Sequence, residues 1–262
     1  MLDLDLSGRH ALVCGASQGI GRATAFALAE HGADVTVLAR SRELLEAIAA
    51  TLPKRDGQRH GFLVADLRDR AALRTSVAAL AAERPVAILV NNTGGPPGGP
   101  ANAAREEEFL DAFQAHLLAA QALVQGVLPG MRAARWGRIV NVISTSVKEP
   151  IRNLGVSNTV RGAMANWAKT LATELGGDGI TVNNVLPGYT KTQRLEQILA
   201  DRSKATGKPR EEVAAAMLAT VPAARFAEPE EIAGVIAFLA TPAAGYVNGI
   251  NVPVDGGRTL SL

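Results

Sequence analysis

Residues 14–21 read Cys-Gly-Ala-Ser-Gln-Gly-Ile-Gly and join an apolar run of strand character, Ala11–Cys14, to an amphipathic helical stretch, Ile20–His31. A glycine-rich turn between a buried strand and a helix marks the start of a β-α-β unit. Gly15 permits the sharp turn, Gly19 lets a ligand approach the backbone, and Gly21 lets the helix close on the strand. The free N–H groups at the helix start, with the positive end of its dipole, then face an anion such as the diphosphate of a dinucleotide. The plainer reading is a tight strand-to-helix connection without a ligand, and the turn alone does not choose between the two.

The same alternation runs down the chain. Ala11–Cys14, Val35–Leu38, Gly61–Ala65, Ala87–Val90, Arg138–Ile143, Thr181–Leu186 and Ile250–Val254 have strand character, and helical patterns lie near 20–31, 42–52, 70–83, 105–131, 154–176 and 229–240. Apolar strands alternating with helices imply a parallel sheet buried on both faces. The expected architecture is α/β: a single-domain, doubly wound Rossmann fold over residues 1–262, with a seven-stranded, mainly parallel sheet and helices on both faces. Its ligand site belongs at the carboxyl ends of the strands. Two irregular stretches fall there. Gly94–Pro100 is stiffened by prolines and turned by glycines, or is only a surface connection. Residues 189–221 are polar and helical, and read as a substrate lid or as a plain surface excursion.

Composition narrows the function. The net charge is +2 with Lys and Arg scattered, so neither a nucleic-acid stripe nor a polybasic membrane patch is present. Cys14 is the single cysteine and the histidines at 10, 31, 60 and 116 lack paired ligand spacing, which argues against disulfide and zinc chemistry. Met1–Arg9 lacks the pattern of a secretory leader and no stretch is apolar enough to span a membrane, so a cytoplasmic location is expected.

The second strand ends Val37-Leu38-Ala39-Arg40-Ser41-Arg42. A carboxylate at this place binds the ribose 2′-hydroxyl of NAD, whereas an arginine accommodates the 2′-phosphate of NADP. Ala39 followed by Arg40 favours NADP(H) over NAD(H), because a guanidinium forks onto phosphate. Alternatively Arg40 and Arg42 are solvated charges at a helix start. Asp66, ending the third strand, is placed to touch the adenine amino group or to N-cap the next helix.

Further motifs follow in order: Asn91-Asn92-Thr93-Gly94, Gly137–Val142, Asn183-Asn184-Val185-Leu186-Pro187-Gly188 through Thr192, Arg225-Phe226 through Ala233, and Val254-Asp255-Gly256-Gly257. With the glycine turn they resemble the short-chain dehydrogenase/reductase family over essentially the whole chain, particularly its 3-oxoacyl-carrier-protein reductase-like branch. The resemblance implies a cofactor set of Gly15, Ser17, Gln18, Gly19, Ile20, Gly21, Arg40, Asp66, Leu67, Asn92, Gly94, Arg161, Pro187, Gly188 and Thr192. It also implies a small-molecule carbonyl or alcohol substrate. A homotetramer built on helices 105–131 and 154–176 is expected, with a dimer second. Ala115, Ala119 and Ala122 would allow close contact between helices, or would serve internal packing equally well.

The family reduces carbonyls with a serine, a tyrosine, a lysine four residues after it, and an asparagine on the preceding long helix. The resemblance puts Ser144 at the serine place. Thirteen and seventeen residues on, Ser157 and Arg161 occupy the tyrosine and lysine places, and His116 falls at the asparagine place. Val156–Arg161 is similar to a sub-branch with a Leu-Ser-Asn-x-x-Arg segment. A serine hydroxyl is far less acidic than a phenol, whose pKa is about 10, and an arginine is a poor proton relay. Lys148, on the loop after Ser144, and Tyr189, after Pro187-Gly188, are candidate replacement acids. The plainer readings are a solvated loop charge and a packing aromatic, and His116 reads as a satisfied buried histidine rather than a catalyst. The chain is thus expected to be an NADP(H)-dependent oxidoreductase with a non-standard site. The alternative is a nucleotide-binding sensor or scaffold subunit without hydride transfer.

Overall fold

The computed structural model describes residues 2–55 and 57–261. Seven strands form one sheet: β1 (His10–Cys14), β2 (Asp34–Ala39), β3 (Gly61–Val64), β4 (Ile88–Asn91), β5 (Gly137–Val142), β6 (Ile180–Pro187) and β7 (Asn251–Val254). Their order is β3-β2-β1-β4-β5-β6-β7, and every neighbouring pair is parallel. The order reverses between β1 and β4, which opens a crevice at their carboxyl ends.

Helices cover both faces because strand side chains alternate. Ala11 and Val13 of β1 pack with Leu28 of α1 (Gly19–Glu30), Leu45 of α2 (Arg42–Thr51) and Ile232 and Ile236 of α9 (Pro229–Ala240). On the other face Leu12 and Cys14 join Leu73 and Val77 of α3 (Arg70–Glu83), Leu123 and Val127 of α5 (Ala119–Ala133), and Ala168 of α6 (Gly155–Leu175). The lone thiol is buried in this layer, which pushes it up to about 12 and keeps it protonated.

The helix expected over 105–131 is instead two, α4 (Glu106–Phe113) and α5, joined by a π-helical turn at Gln114–Leu118. Ala119 and Ala122 are buried in this chain's own core, so they serve internal packing rather than a surface for a second subunit. The large apolar residues left exposed here are Leu110 and Leu118.

A row of asparagines crosses the middle of the sheet in register. Asn91 Nδ2 donates to Asn141 Oδ1 at 2.8 Å, Asn141 Nδ2 to Asn184 Oδ1 at 2.9 Å, and Asn184 Nδ2 to Asn251 Oδ1 at 2.8 Å. The first carboxamide oxygen, Asn91 Oδ1, has no donor among the described residues.

Residues 189–221 contain α7 (Gln193–Thr206) and α8 (Arg210–Leu218). These close on their own apolar cluster of Leu195, Leu199, Val213 and Met217, against which Tyr189 and Phe226 pack.

Candidate active site

One cavity of about 1440 Å³ runs along the carboxyl ends of the strands. At one end lies the β1–α1 turn, where Gly15 and Gly19 take φ of +58° and +54°. Asn92 fastens this turn, its Nδ2 donating to the carbonyls of Cys14 at 3.3 Å and Gly15 at 3.2 Å. Gln18 precedes α1 in an extended conformation and its side chain makes no cap bond, and no acidic residue follows in the first turn. The first N–H groups of α1 are thus left to an anion, and the residues present fit a dinucleotide diphosphate.

The expected cofactor residues gather here. Ser17, Gln18, Gly19, Ile20, Arg40, Asp66, Leu67, Asn92, Gly94, Pro187, Gly188 and Thr192 all line the cavity with Gly15. Gly21 lies behind the wall, close against the Gly15 carbonyl. Arg40 is exposed at the end of β2, whereas Arg42 pairs with Glu46 at 3.4 Å and sits over the Phe62 ring. Asp66 does not cap α3: that place belongs to Asp69, whose Oδ1 accepts from Ala72 N at 3.0 Å. Asp66 Oδ1 instead accepts from Arg68 N at 2.9 Å, turning the chain at the cavity edge.

At the other end stand Ser144, Ser157 and Arg161. Ser144 follows β5 and its Oγ accepts from Ser146 N at 3.1 Å. Ser157 and Arg161 are buried one turn apart on α6. Arg161 Nη1 donates to Val142 O at 2.9 Å, and burial, with Arg194 nearby, lowers its pKa to about 10, so it stays cationic at neutral pH. The Gly94–Pro100 loop is more than a surface connection, because it braces this helix. Gly99 N donates to Asn153 O at 2.7 Å and Gly155 N to Gly99 O at 2.9 Å.

The two candidate acids, Tyr189 and Lys148, differ in where they lie. Tyr189 lines the cavity, its ring edge-on to Phe226 with centroids 6.2 Å apart, so it is both a packing aromatic of the 189–221 segment and a wall of the cavity. Lys148 is half-buried, and the wall at its loop is made by Ile151, Arg152, Asn153 and Leu154.

His116 is buried, but it is not satisfied. Its Nδ1 has no partner among the described residues, and it sits in the π turn behind the cavity lining. Burial, then Arg161 and Arg68, lower its pKa to about 3. His10, bonded to Thr36 Oγ1 at 2.8 Å, is likewise lowered to about 4, by burial first and Arg84 second. Both values lie below the ordinary 6.5, so as pH falls the unfolded chain takes up protons first and the fold loses stability. The melting temperature is expected to drop between pH 6.5 and about 4, and His116→Asn to flatten that fall. Calorimetric scans of both proteins across this range check it, and parallel curves would refute the contribution of His116.

Among the cations at the cavity that were not singled out from the sequence are Arg194 and Arg258. Arg194, at the start of α7, donates through Nη2 to Pro96 O at 2.8 Å and so ties the 189–221 segment to the Gly-Pro loop. Arg258, beyond β7, donates through Nη1 to Thr145 Oγ1 at 3.3 Å and lies 4.8 Å from the centroid of the Tyr189 ring. Neither falls in a motif; the polar character of 189–221 was the only signal for the first.

A family model described as enoyl-(acyl carrier protein) reductase matches residues 15–259. The 3-oxoacyl-[acyl-carrier-protein] reductase FabG of Haemophilus influenzae is 35% identical over 259 residues, 98% of this chain and 100% of the relative. L-Sorbose reductase from Gluconobacter frateurii, solved with NADPH and L-sorbose, superposes with a TM-score of 0.92 at 30% identity, over 99% of this chain and 100% of the other. A 3-oxoacyl (acyl-carrier-protein) reductase from Agrobacterium tumefaciens C58 with NADP bound gives 0.86 at 27% identity, over 97% and 95%. No described helix is long and apolar enough to cross a membrane.

Proposed function

Because the chain belongs to the short-chain dehydrogenase/reductase family, we propose that it interconverts a carbonyl and an alcohol with NADP(H), in a site where Ser157 and Arg161 stand in place of the family's tyrosine and lysine. One observation carries the reading: a single cavity joins the glycine turn to Ser144, Ser157 and Arg161. The bound nicotinamide supplies or accepts the hydride. Ser144 Oγ donates to the substrate oxygen and polarises it, and Arg161, held by the Val142 carbonyl, keeps a cation against the nicotinamide ribose. Ser157 is too weak an acid to replace a phenol, so the proton comes from water, Lys148 or Tyr189, of which Tyr189 lines the cavity. In this proposal residues 1–262 are one domain, 189–221 are its lid over the substrate, and the protein is a homotetramer, which light scattering tests.

NADP(H) is favoured over NAD(H) because Arg40 lines the cavity and is in no ion pair among the described residues, while Ala39 leaves no carboxylate to repel a 2′-phosphate. Arg40→Ala is expected to weaken NADPH binding by between about tenfold and about a hundredfold, the worth of a charge-assisted hydrogen bond, and to leave NADH binding within about twofold. Fluorescence titration of both cofactors decides it. Turnover of a panel of ketones and alcohols tests the reaction itself. Tight NADPH binding with no turnover across the panel would replace it with the sensor or scaffold reading.

A further inference from the structure

The chain beyond β7 is latched by two carboxylates. Asp255 accepts from Gly257 N at 3.0 Å and Thr259 N at 2.8 Å, and Glu149 Oε1 accepts from Leu260 N at 2.7 Å and Ser261 N at 2.9 Å. Both carboxylates are taken up by backbone amides, and no ion pair among the described residues joins either of them to Arg258. Arg258 is consequently carried into the cavity wall between Thr145, next to Ser144, and the Tyr189 ring. Its Nε is buried with no acceptor among the described residues, and so is the neighbouring Thr259 Oγ1.

Arg258 is half-buried in this wall, and a guanidinium partly withdrawn from water without a counter-ion gains from an anion that completes it. Arg161 and Arg194 add to the same field, and no ion pair among the described residues includes any of the three. Arg258 touches the Ser144 end of the cavity, where the substrate carbonyl is proposed to sit, and not the glycine turn that faces the diphosphate.

We propose that Arg258 anchors an anionic group, a carboxylate or a phosphate, on the carbonyl substrate, and so sets which substrates the protein accepts. This rests on the carbonyl–alcohol reading above. The planar guanidinium that Arg258 presents in the cavity wall matches either anion. The cation–π contact with Tyr189 and the bond to Thr145 hold the fork in place before the substrate arrives.

The test pairs each anion with a neutral counterpart: acetoacetate against methyl acetoacetate, and dihydroxyacetone phosphate against dihydroxyacetone. Calorimetry measures their binding to the NADP⁺-saturated protein, and kcat/KM is measured with NADPH. Wild type is expected to prefer at least one anion over its counterpart by between about tenfold and about a hundredfold, mainly through Kd and KM. The pair that shows the preference tells carboxylate from phosphate. Arg258→Met should bring the ratio close to one, and Arg258→Lys, which keeps the charge and loses the fork, should retain part of it. A wild-type ratio near one in both pairs, or a preference that persists in a folded Arg258→Met protein, overturns the proposal. Anion-selective binding without turnover would sink the redox reading and leave the anion site standing, whereas equal turnover of charged and neutral ketones would do the opposite.

Discussion

Gly21→Ala is expected to weaken NADPH binding by on the order of a hundredfold and to destabilise the fold by about 1–3 kcal/mol. A Cβ at this position would lie 2.3 Å from the Gly15 carbonyl oxygen and 2.7 Å from Asn92 Nδ2. Both obstacles are parts of the clamp that shapes the glycine turn, since Asn92 Nδ2 donates to the carbonyls of Cys14 and Gly15. A methyl group there pushes α1 off β1 and spreads the turn at once. A misplacement of about 1 Å is enough to cost two orders of magnitude where several amides must point at one ligand. Cofactor titration and denaturant unfolding read the two effects separately. Gly162→Ala is the matched control: it is exposed on α6 with nothing within 4 Å of the added carbon, and helix propensity predicts a gain of up to about 1 kcal/mol. A Gly21→Ala protein that bound NADPH like wild type would remove the glycine turn from the site.

The second large effect runs the other way. Ser157→Tyr combined with Arg161→Lys is expected to raise turnover by about 10²–10⁴-fold, the usual worth of a placed general acid. The two positions share one face of α6 a turn apart, and Ser157 opens onto the cavity, which leaves room for a ring. An ammonium beside the new phenol favours its ionised form and brings its pKa towards neutrality, which the guanidinium, committed to Val142 O, is poorly placed to do. Each single change should therefore give less than the pair. If the double variant is no faster than wild type, a native acid already works in the site, and Tyr189→Phe is the change that would then abolish turnover.

Much of the architecture could be read from the chain because local chemistry dictates it. Every strand appears within a few residues of its apolar run, and helices fall between them, since burial on both faces leaves few other uses for segments such as Val35–Leu38. The glycine turn was legible for the same reason: φ near +55° at Gly15 and Gly19 needs that residue type. What escaped depends on distant partners. A π turn differs from an α turn by one step of hydrogen bonding, which the apolar spacing of residues 105–131 does not register. Asp66 and Asp69 are equally good caps by composition, and only the backbone decides that Asp69 faces Ala72. Arg194 and Arg258 look like ordinary surface cations until the Gly-Pro loop and the latched tail place them. The imidazole of His116 was legible as buried, yet its unmet Nδ1 depends on a packing arrangement that no local pattern encodes.

The asparagine row across β4, β5, β6 and β7 has a consequence for how the strands find their alignment. Every carboxamide hands its hydrogen the same way, from Asn91 towards Asn251. Reversing one of them alone would set oxygen against oxygen on one side and nitrogen against nitrogen on the other. The row therefore has two collective settings and no inexpensive mixture of them. A strand that docked one step out would bring an aliphatic side chain to a neighbour's amide and break the row, so the register of these strands is strongly specified. Ser144 and Pro187-Gly188 lie at the carboxyl ends of two strands aligned in this way, so their separation is set by the Asn141–Asn184 pairing below them.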